Sequence, residues 1–295
     1  MGLFGQIVIG PPGAGKSTYC NAMQQYLSTL PRPCAVVNMD PANDTTPYDC
    51  DIDVRGLIDV QHVMQYKALG PNGALVYAME YVETKIEWLR SQLSKIESDN
   101  GRTYILMDMP GQVELYTHHD CVKTILSHLT KWGHRFVVVY LADSHYCSDP
   151  AKFVSVLLTT LTAMVNLEMP HISLLSKGDL LESNAISLPF NLQYFTEVHD
   201  LRHLIRLLQD DPFLAPYKKL SENIVSVIED YSLVSFQLLN IHDQASMRAT
   251  LALADKANGY CFRETDAPDL RHIMKTTGSA DPIKSYNRAC ADRFT

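Results

Sequence analysis

The sequence predicts an α/β fold, a mostly parallel sheet with helices on both faces and a helical insertion late in the chain. Three observations predict it. Short segments that are apolar throughout alternate with longer helical ones. The first apolar segment runs into a glycine-rich turn that opens a helix, and aspartates stand at the ends of the second and third, Asp40 and Asp108. A strand covered on both faces reads as a continuous apolar run, and such strands alternating with helices build parallel sheets.

The elements follow in order. "LFGQIVIG" (3–10) is the first strand and "KSTYCNAMQQYLSTL" (16–30) the first helix. "CAVVNMD" (34–40) is the second strand, closed by Pro41, and the Asp-, Asn- and Thr-rich residues 40–51 read as a loop. "ALVYAMEYVETKIEWLRSQLSKI" (74–96) reads as one long helix. "TYILMD" (103–108), "RFVVVYLAD" (135–143) and "HISLLSK" (171–177) supply the third to fifth strands, with helices at 119–132 and 150–167 between them. Residues 182–230, with Pro189, Pro212 and Pro216, form the insertion. "YSLVSFQLLN" (231–240) is expected as a sixth strand before a last helix near 243–258. These elements make one domain, 1–263, and the polar, weakly patterned tail, 264–295, is expected to be frayed.

Composition excludes several classes. The chain has 295 residues, 46% of them hydrophobic, and a formal net charge of −8. It carries no dense Lys/Arg stripe, so nucleic acid is not an expected partner. Its seven cysteines contain no Cys-x-x-Cys spacing and are odd in number, which argues for reduced thiols rather than a disulfide framework or zinc site. No run approaches the length of about 18 apolar residues that a membrane span needs, and the first residues lack the pattern of a signal peptide. A cytoplasmic location is expected.

"GPPGAGKS", Gly10 to Ser17, matches G-x-x-x-x-G-K-[ST] between a strand and a helix, and places the chain among P-loop NTPases. Gly13, Ala14 and Gly15 let backbone N–H groups curl round a phosphate, and the helix start adds positive potential. Lys16 reaches the β- and γ-phosphates. The Ser17 hydroxyl is placed for Mg²⁺, and Thr18 continues the cradle. In "YILMDMPGQVE", Asp108 ends a strand where a carboxylate can hold Mg²⁺, Gly111 allows close backbone approach, and Gln112 sits where a water-orienting glutamine is needed. Glu114 and Asp40 are further candidates beside that water. "SKGD", Ser176, Lys177, Gly178 and Asp179, reads as a guanine-recognition motif. A carboxylate at Asp179 accepts from guanine N1–H and the 2-amino group together, and adenine lacks both donors. Leu239 and Asn240 could line the base.

With these motifs, "VNMDPAN", "GPNGALVYAMEY", "DMPGQVELYTHH" and "LSKGDL", the chain resembles the GPN-loop GTPases over nearly its whole length to about residue 263. The resemblance implies a dimer, with itself or with a related GPN-loop GTPase, in which Gly70, Pro71 and Asn72 of one protomer reach the other's phosphate site. Pro71 fixes φ, Gly70 and Gly73 allow a tight turn, and the Asn72 amide both donates and accepts. The alternative for Asn72 is a helix N-cap. The resemblance also implies a role in assembly and nuclear delivery of RNA polymerase II, with its subunits or assembly factors as partners and shuttling to the nucleus. Three functions compete: Mg²⁺-dependent hydrolysis of GTP; a nucleotide-gated assembly factor with little turnover; and a small-molecule kinase, for which Arg202 and Arg206 of the insertion would have to clamp phosphate.

Overall fold

The buried apolar runs become strands, each followed by a segment that carries the chain back to the start of the next. In the computed structural model, which describes residues 2–99, 102–182, 188–198, 201, 203–205, 215–231 and 233–262, two compact units form. Of the described residues, the first comprises those within 2–141, 166–172 and 254–260; the second comprises those within 142–165, 173–253 and 261–262. The expected tail 264–295 lies outside the described residues, as do Arg202 and Arg206.

The first unit runs β1 (Phe4–Ile9), α1 (Lys16–Ser28), β2 (Cys34–Asn38), β3 (Ile52–Asp53), α2 (Val60–Lys67), α3 (Pro71–Thr84), α4 (Ile86–Asp99), β4 (Tyr104–Asp108), α5 (Glu114–Thr117), α6 (Cys121–Lys131) and β5 (Arg135–Asp143) up to Leu141. The strand order is β3-β2-β4-β1-β5, and every described pairing is parallel. The chain leaves β1 for β2 in one direction along the sheet and β4 for β5 in the other. Right-handed crossovers of opposite direction put α1 and α6 on opposite faces. The carboxyl ends of β1 and β4 therefore lie at a switch point, where open parallel sheets leave a crevice.

Three expectations change in this unit. The short strand β3 and helix α2 occupy residues the sequence left unassigned. The long helix expected at 74–96 is two helices, broken at Lys85 (φ −105°, ψ 30°). Thr84 Oγ1 donates to the Tyr81 carbonyl (2.7 Å), and a threonine bonded back to its own helix in this way bends it. The tight turn before α3 is made by Ala68 (φ 50°), with Gly70 extended at φ −69°.

The last helix returns to the first unit through its end. Arg32 pairs with both carboxylate oxygens of Asp255 (3.0 and 2.9 Å) and lies 3.9 Å over the Tyr260 ring. Asn258 Nδ2 donates to the Gly5 carbonyl (3.3 Å) and Tyr104 Oη (3.1 Å). Gln6, buried in β1, accepts from Tyr19 Oη (2.6 Å), so the polar atoms at the foot of the sheet are paired.

The second unit holds α7 (Pro150–Leu167) up to Val165, β6 (His171–Ser176) from Ser173, α8 (Gly178–Glu182), α9 (Leu192–Glu197), α10 (Lys218–Tyr231), β7 (Phe236–Leu238) and α11 (Gln244–Asn258) up to Leu253. β6 and β7 pair in parallel, Ser173 opposite Phe236 and Leu175 opposite Leu238. The expected strand 231–240 shrinks to three residues because α10, burying Val225 and Ile228, runs on through Tyr231. α7 is long and apolar enough to cross a membrane by length and composition, with a mean hydropathy of 1.3, which the expectation of no such run missed. Phe153, Leu157, Leu161 and Ala163 of this helix are buried in the fold, with Phe153 edge-on to Phe195 at 5.0 Å.

Candidate nucleotide site

In the first unit the turn after β1 takes its shape from glycines used in two ways. Gly13 (φ 77°) and Gly15 (φ 89°) adopt left-handed backbone, although a Cβ at either would meet nothing within 4 Å. Their need for glycine is conformational. Gly111 is needed for closeness: a Cβ there would lie 3.0 Å from Lys16 Nζ and 3.3 Å from Pro12 Cα. The loop after β4 thus sits directly on the phosphate turn.

Lys16 is buried, and its ammonium donates to the Pro11 carbonyl (3.3 Å). Burial pushes its pKa down, while Asp108, Asp40 and Cys20 pull it up. Ser17 Oγ donates to Asp108 Oδ2 (2.6 Å), and Tyr48 Oη donates to the same oxygen (2.9 Å). Asp108 Oδ1 is buried with no partner among the described residues. Burial raises the Asp108 pKa against the two hydroxyl donors and Lys16. A hydroxyl beside a buried carboxylate with one unused oxygen fits a small hard cation, which takes one or two protein oxygens and completes its shell from phosphate and water. Among the described residues no group of three or more His, Cys, Asp or Glu converges into a closed cage. Ala14 is buried in the turn and Thr18 is exposed just beyond it.

Asp40 follows β2. Its backbone N–H is held by Asn38 Oδ1 (3.2 Å) and its Oδ1 accepts from Ala42 N (2.9 Å). Burial raises its pKa, with the Ala42 N–H and Lys16 opposing. The following loop is tethered by Arg55, which donates to the carbonyls of Asn43 (2.8 Å) and Asp44 (2.7 Å) and pairs with Asp53. Gln112 Nε2 donates to Asn72 Oδ1 of the same chain (2.8 Å). Glu114 is exposed as the first residue of α5.

Asn72 is not an N-cap. Gly70 caps α3, Pro71 takes the first helical position and Asn72 the second. Residues 65–73 are exposed without interruption, Tyr66 at 86%, and a Cβ at Gly70 would meet nothing in this chain. A groove of about 950 Å³ lies beside this turn, lined by Arg55, Asp59, Tyr66, Lys67 and Tyr77 among others.

In the second unit, Ser176 is buried and its hydroxyl donates to the Ala142 carbonyl (3.1 Å). Lys177 has φ 59°. Its carbonyl accepts from Ser144 Oγ (3.1 Å) and its ammonium pairs with Asp143 Oδ2 (2.5 Å). Gly178 N donates to the Leu239 carbonyl (2.9 Å), and a Cβ at Gly178 would lie 3.0 Å from that oxygen. Leu239, buried like Asn240, thus lies against the motif through its backbone carbonyl. Asp179 is the second residue of α8 and half-buried.

The sequence reading missed Tyr48, Asp143 and Ser144. Asp143 carried a usable signal, being a carboxylate at the end of an apolar strand like Asp40 and Asp108. Tyr48 carried none, since only folding brings a loop tyrosine to a carboxylate sixty positions away.

A family model described as "Conserved hypothetical ATP binding protein" matches residues 8–260. The chain is 50% identical over 278 residues to "GPN-loop GTPase 2" of Danio rerio, covering 94% of this chain and 88% of that one. It is 48% identical over 290 residues to "GPN-loop GTPase QQT1" of Arabidopsis thaliana, covering 98% and 95%. The Saccharomyces cerevisiae "GPN-loop GTPase 2" is 43% identical over 263 residues, covering 88% and 75%. A crystal structure of a GTPase in apo form from Pyrococcus abyssi superposes with a TM-score of 0.68 at 24% identity, covering 88% of this chain and 98% of that one, and has the same fold.

Proposed function

The chain belongs to the GPN-loop GTPase family and hydrolyses GTP, and from that premise we propose that it does so as a Mg²⁺-dependent dimeric switch. The observation that carries this reading is the buried Asp108 carboxylate, with one oxygen satisfied by Ser17 and Tyr48 and the other without a partner among the described residues.

Ser17 and Asp108 would hold Mg²⁺, which when bound neutralises charge developing on the transferred phosphoryl group. Gly13, Ala14, Gly15 and Thr18 present the backbone to the phosphates. Lys16 binds the β- and γ-phosphates. Its ammonium is kept short of solvent by burial, so an incoming anion gains more from it than water would allow. Gln112 orients the attacking water, with the carboxylates of Asp40 and Glu114 as the other candidates for that task. Ser176, Lys177, Gly178 and Asp179 read guanine. The GPN turn acts in trans. The exposure of residues 65–73, and a glycine at 70 that neither its φ nor its surroundings in this chain require, support that role. Asn72 would reach a partner's phosphates once the bond its Oδ1 accepts from Gln112 of its own chain is released. The partner is a second copy or a related GPN-loop GTPase. The biological setting, assembly and nuclear delivery of RNA polymerase II from the cytoplasm, rests on the family resemblance alone.

The Asn72–Gln112 bond favours a second reading, a nucleotide-gated assembly factor whose lone chain turns over little because the water-orienting amide is already engaged.

GTP turnover per protomer against protein concentration, with ATP as control and Asn72→Ala alongside, tests these. A specific rate that rises with concentration for GTP only, and is lost in Asn72→Ala, supports the trans site. Tight GTP binding with negligible turnover at every concentration favours the assembly factor. Equal ATP turnover overturns the guanine assignment of Asp179.

A further inference from the structure

We propose that Asp143 is a positioning residue for guanine recognition, acting through Lys177. The inference rests on the reading of 176–179 as the base site.

Lys177 is fastened at both ends. Its carbonyl is held by Ser144 Oγ (3.1 Å) and its ammonium by Asp143 Oδ2 (2.5 Å). Its backbone occupies the left-handed region at φ 59°, a conformation that persists for a non-glycine residue only where the surroundings over-determine it. Two consecutive residues at the end of β5 supply that constraint. Asp143 is itself fixed, because its Oδ1 accepts from His145 N (2.9 Å) and caps the turn that follows. The four-carbon stem of Lys177 is therefore a bar stretched between two anchors.

This has a consequence for binding. On the reading of 176–179 as the base site the Lys177 stem packs on the base, and a free lysine stem loses rotamer freedom when it does so. A stem already ordered by Asp143 has lost that freedom before the nucleotide arrives, so binding is tighter. The pair is partly exposed, Lys177 at 38% and Asp143 at 17%, so its worth to overall stability is small.

The test uses the full chain and fluorescent mant-GDP, with xanthosine diphosphate as the comparison nucleotide. Asp143→Asn keeps the oxygen that accepts from His145 N and removes the charge that holds Lys177. It is expected to weaken mant-GDP binding by about tenfold, within the range of coupling between directly contacting residues. The melting temperature of the nucleotide-free chain should hardly move. Lys177→Ala should weaken binding by a similar factor, and the double variant should be no worse than Lys177→Ala alone. Additive losses overturn the inference, since Asp143 would then act other than through Lys177. Tighter binding in Asp143→Asn also overturns it, showing that Asp143 draws Lys177 away from the nucleotide. Should Asp143→Asn melt early, Asp143→Glu, which restores the charge, must recover binding along with stability or the inference fails. Asp179→Asn tests the underlying reading separately. A carboxamide donates to the 2-oxo group of xanthine where the carboxylate accepted from guanine, so preference should switch to xanthosine diphosphate. If it does not switch, the base site is misassigned. If it switches while Asp143→Asn binds mant-GDP as the parent does, only the role of Asp143 is lost.

Discussion

Tyr48→Phe removes one hydroxyl and keeps the ring, which is buried at 5% exposure, so the packing of the loop against the phosphate turn survives. What is lost is one of two donors to Asp108 Oδ2; Ser17 remains at 2.6 Å. A hydrogen bond to a charged group is worth about 1.5–3 kcal/mol, and the carboxylate here has no compensation on its other oxygen. At roughly 2–4 °C per kcal/mol, the melting temperature should fall by roughly 3–12 °C at neutral pH. The pH dependence is diagnostic. Burial already holds the folded Asp108 pKa above its ordinary value, so the ionised carboxyl costs stability at neutral pH and the cost is relieved as pH falls through the raised folded pKa. The variant raises that pKa further. The deficit of Tyr48→Phe against the parent should be full near pH 7 and shrink on acidification. Thermal melts from pH 7 to pH 5 read it directly. The variant should also need more Mg²⁺ for half-maximal retention of mant-GDP, because a carboxylate with one donor fewer is less firmly aimed. A deficit that does not change with pH, or a variant as stable as the parent at pH 7, refutes the reasoning.

Three further outcomes are expected. Arg32→Met leaves Asp255 buried without its cation, with Tyr260 no longer capped by the guanidinium, and should lose about 3–5 kcal/mol in denaturant unfolding. The double variant Arg32→Met, Asp255→Leu should recover most of that loss, and failure to recover means the pair does more than satisfy itself. His171 has both ring nitrogens buried without partners among the described residues and stacks on Tyr140 at 6.1 Å; burial lowers its pKa to about 4. The unfolded chain takes up this proton below about pH 6.5 and the folded chain only near 4, so stability should fall across that window by at most about 3 kcal/mol. His171→Phe should flatten the slope, although His134, whose Nδ1 accepts from Leu3 N (3.1 Å) and whose pKa burial also lowers, leaves a residual fall in the same direction. Gly111→Ala should fold nearly as well as the parent but bind GTP at least tenfold more weakly. The added Cβ at 3.0 Å is relieved only by moving the Lys16 ammonium, because Pro12 is backbone.

Much of this protein was determined by local sequence. A buried parallel strand needs an unbroken apolar run, and 135–143 and 150–167 became strand and helix with the boundaries their patterns imply. A phosphate turn needs left-handed backbone at fixed positions, so Gly13 and Gly15 announce it, and the Ser17–Asp108 pairing follows once both motifs end adjacent positions of one sheet. The break at Lys85 is local too, beside a threonine hydroxyl bonded back to its own helix, against a periodicity that runs straight through it. Tertiary structure decided what depends on residues distant in the chain. The late start of the strand at 236–238 follows from a helix that outlasts its expected end and runs on through Tyr231. Tyr48 reaches Asp108, Gln112 reaches Asn72, and Asp143 fastens Lys177 only because folding brings separate loops to the carboxyl ends of the strands. Periodicity is a property of neighbours in sequence, whereas these hydrogen bonds are a property of neighbours in space, and burial then fixes their strength and the charge states they leave behind.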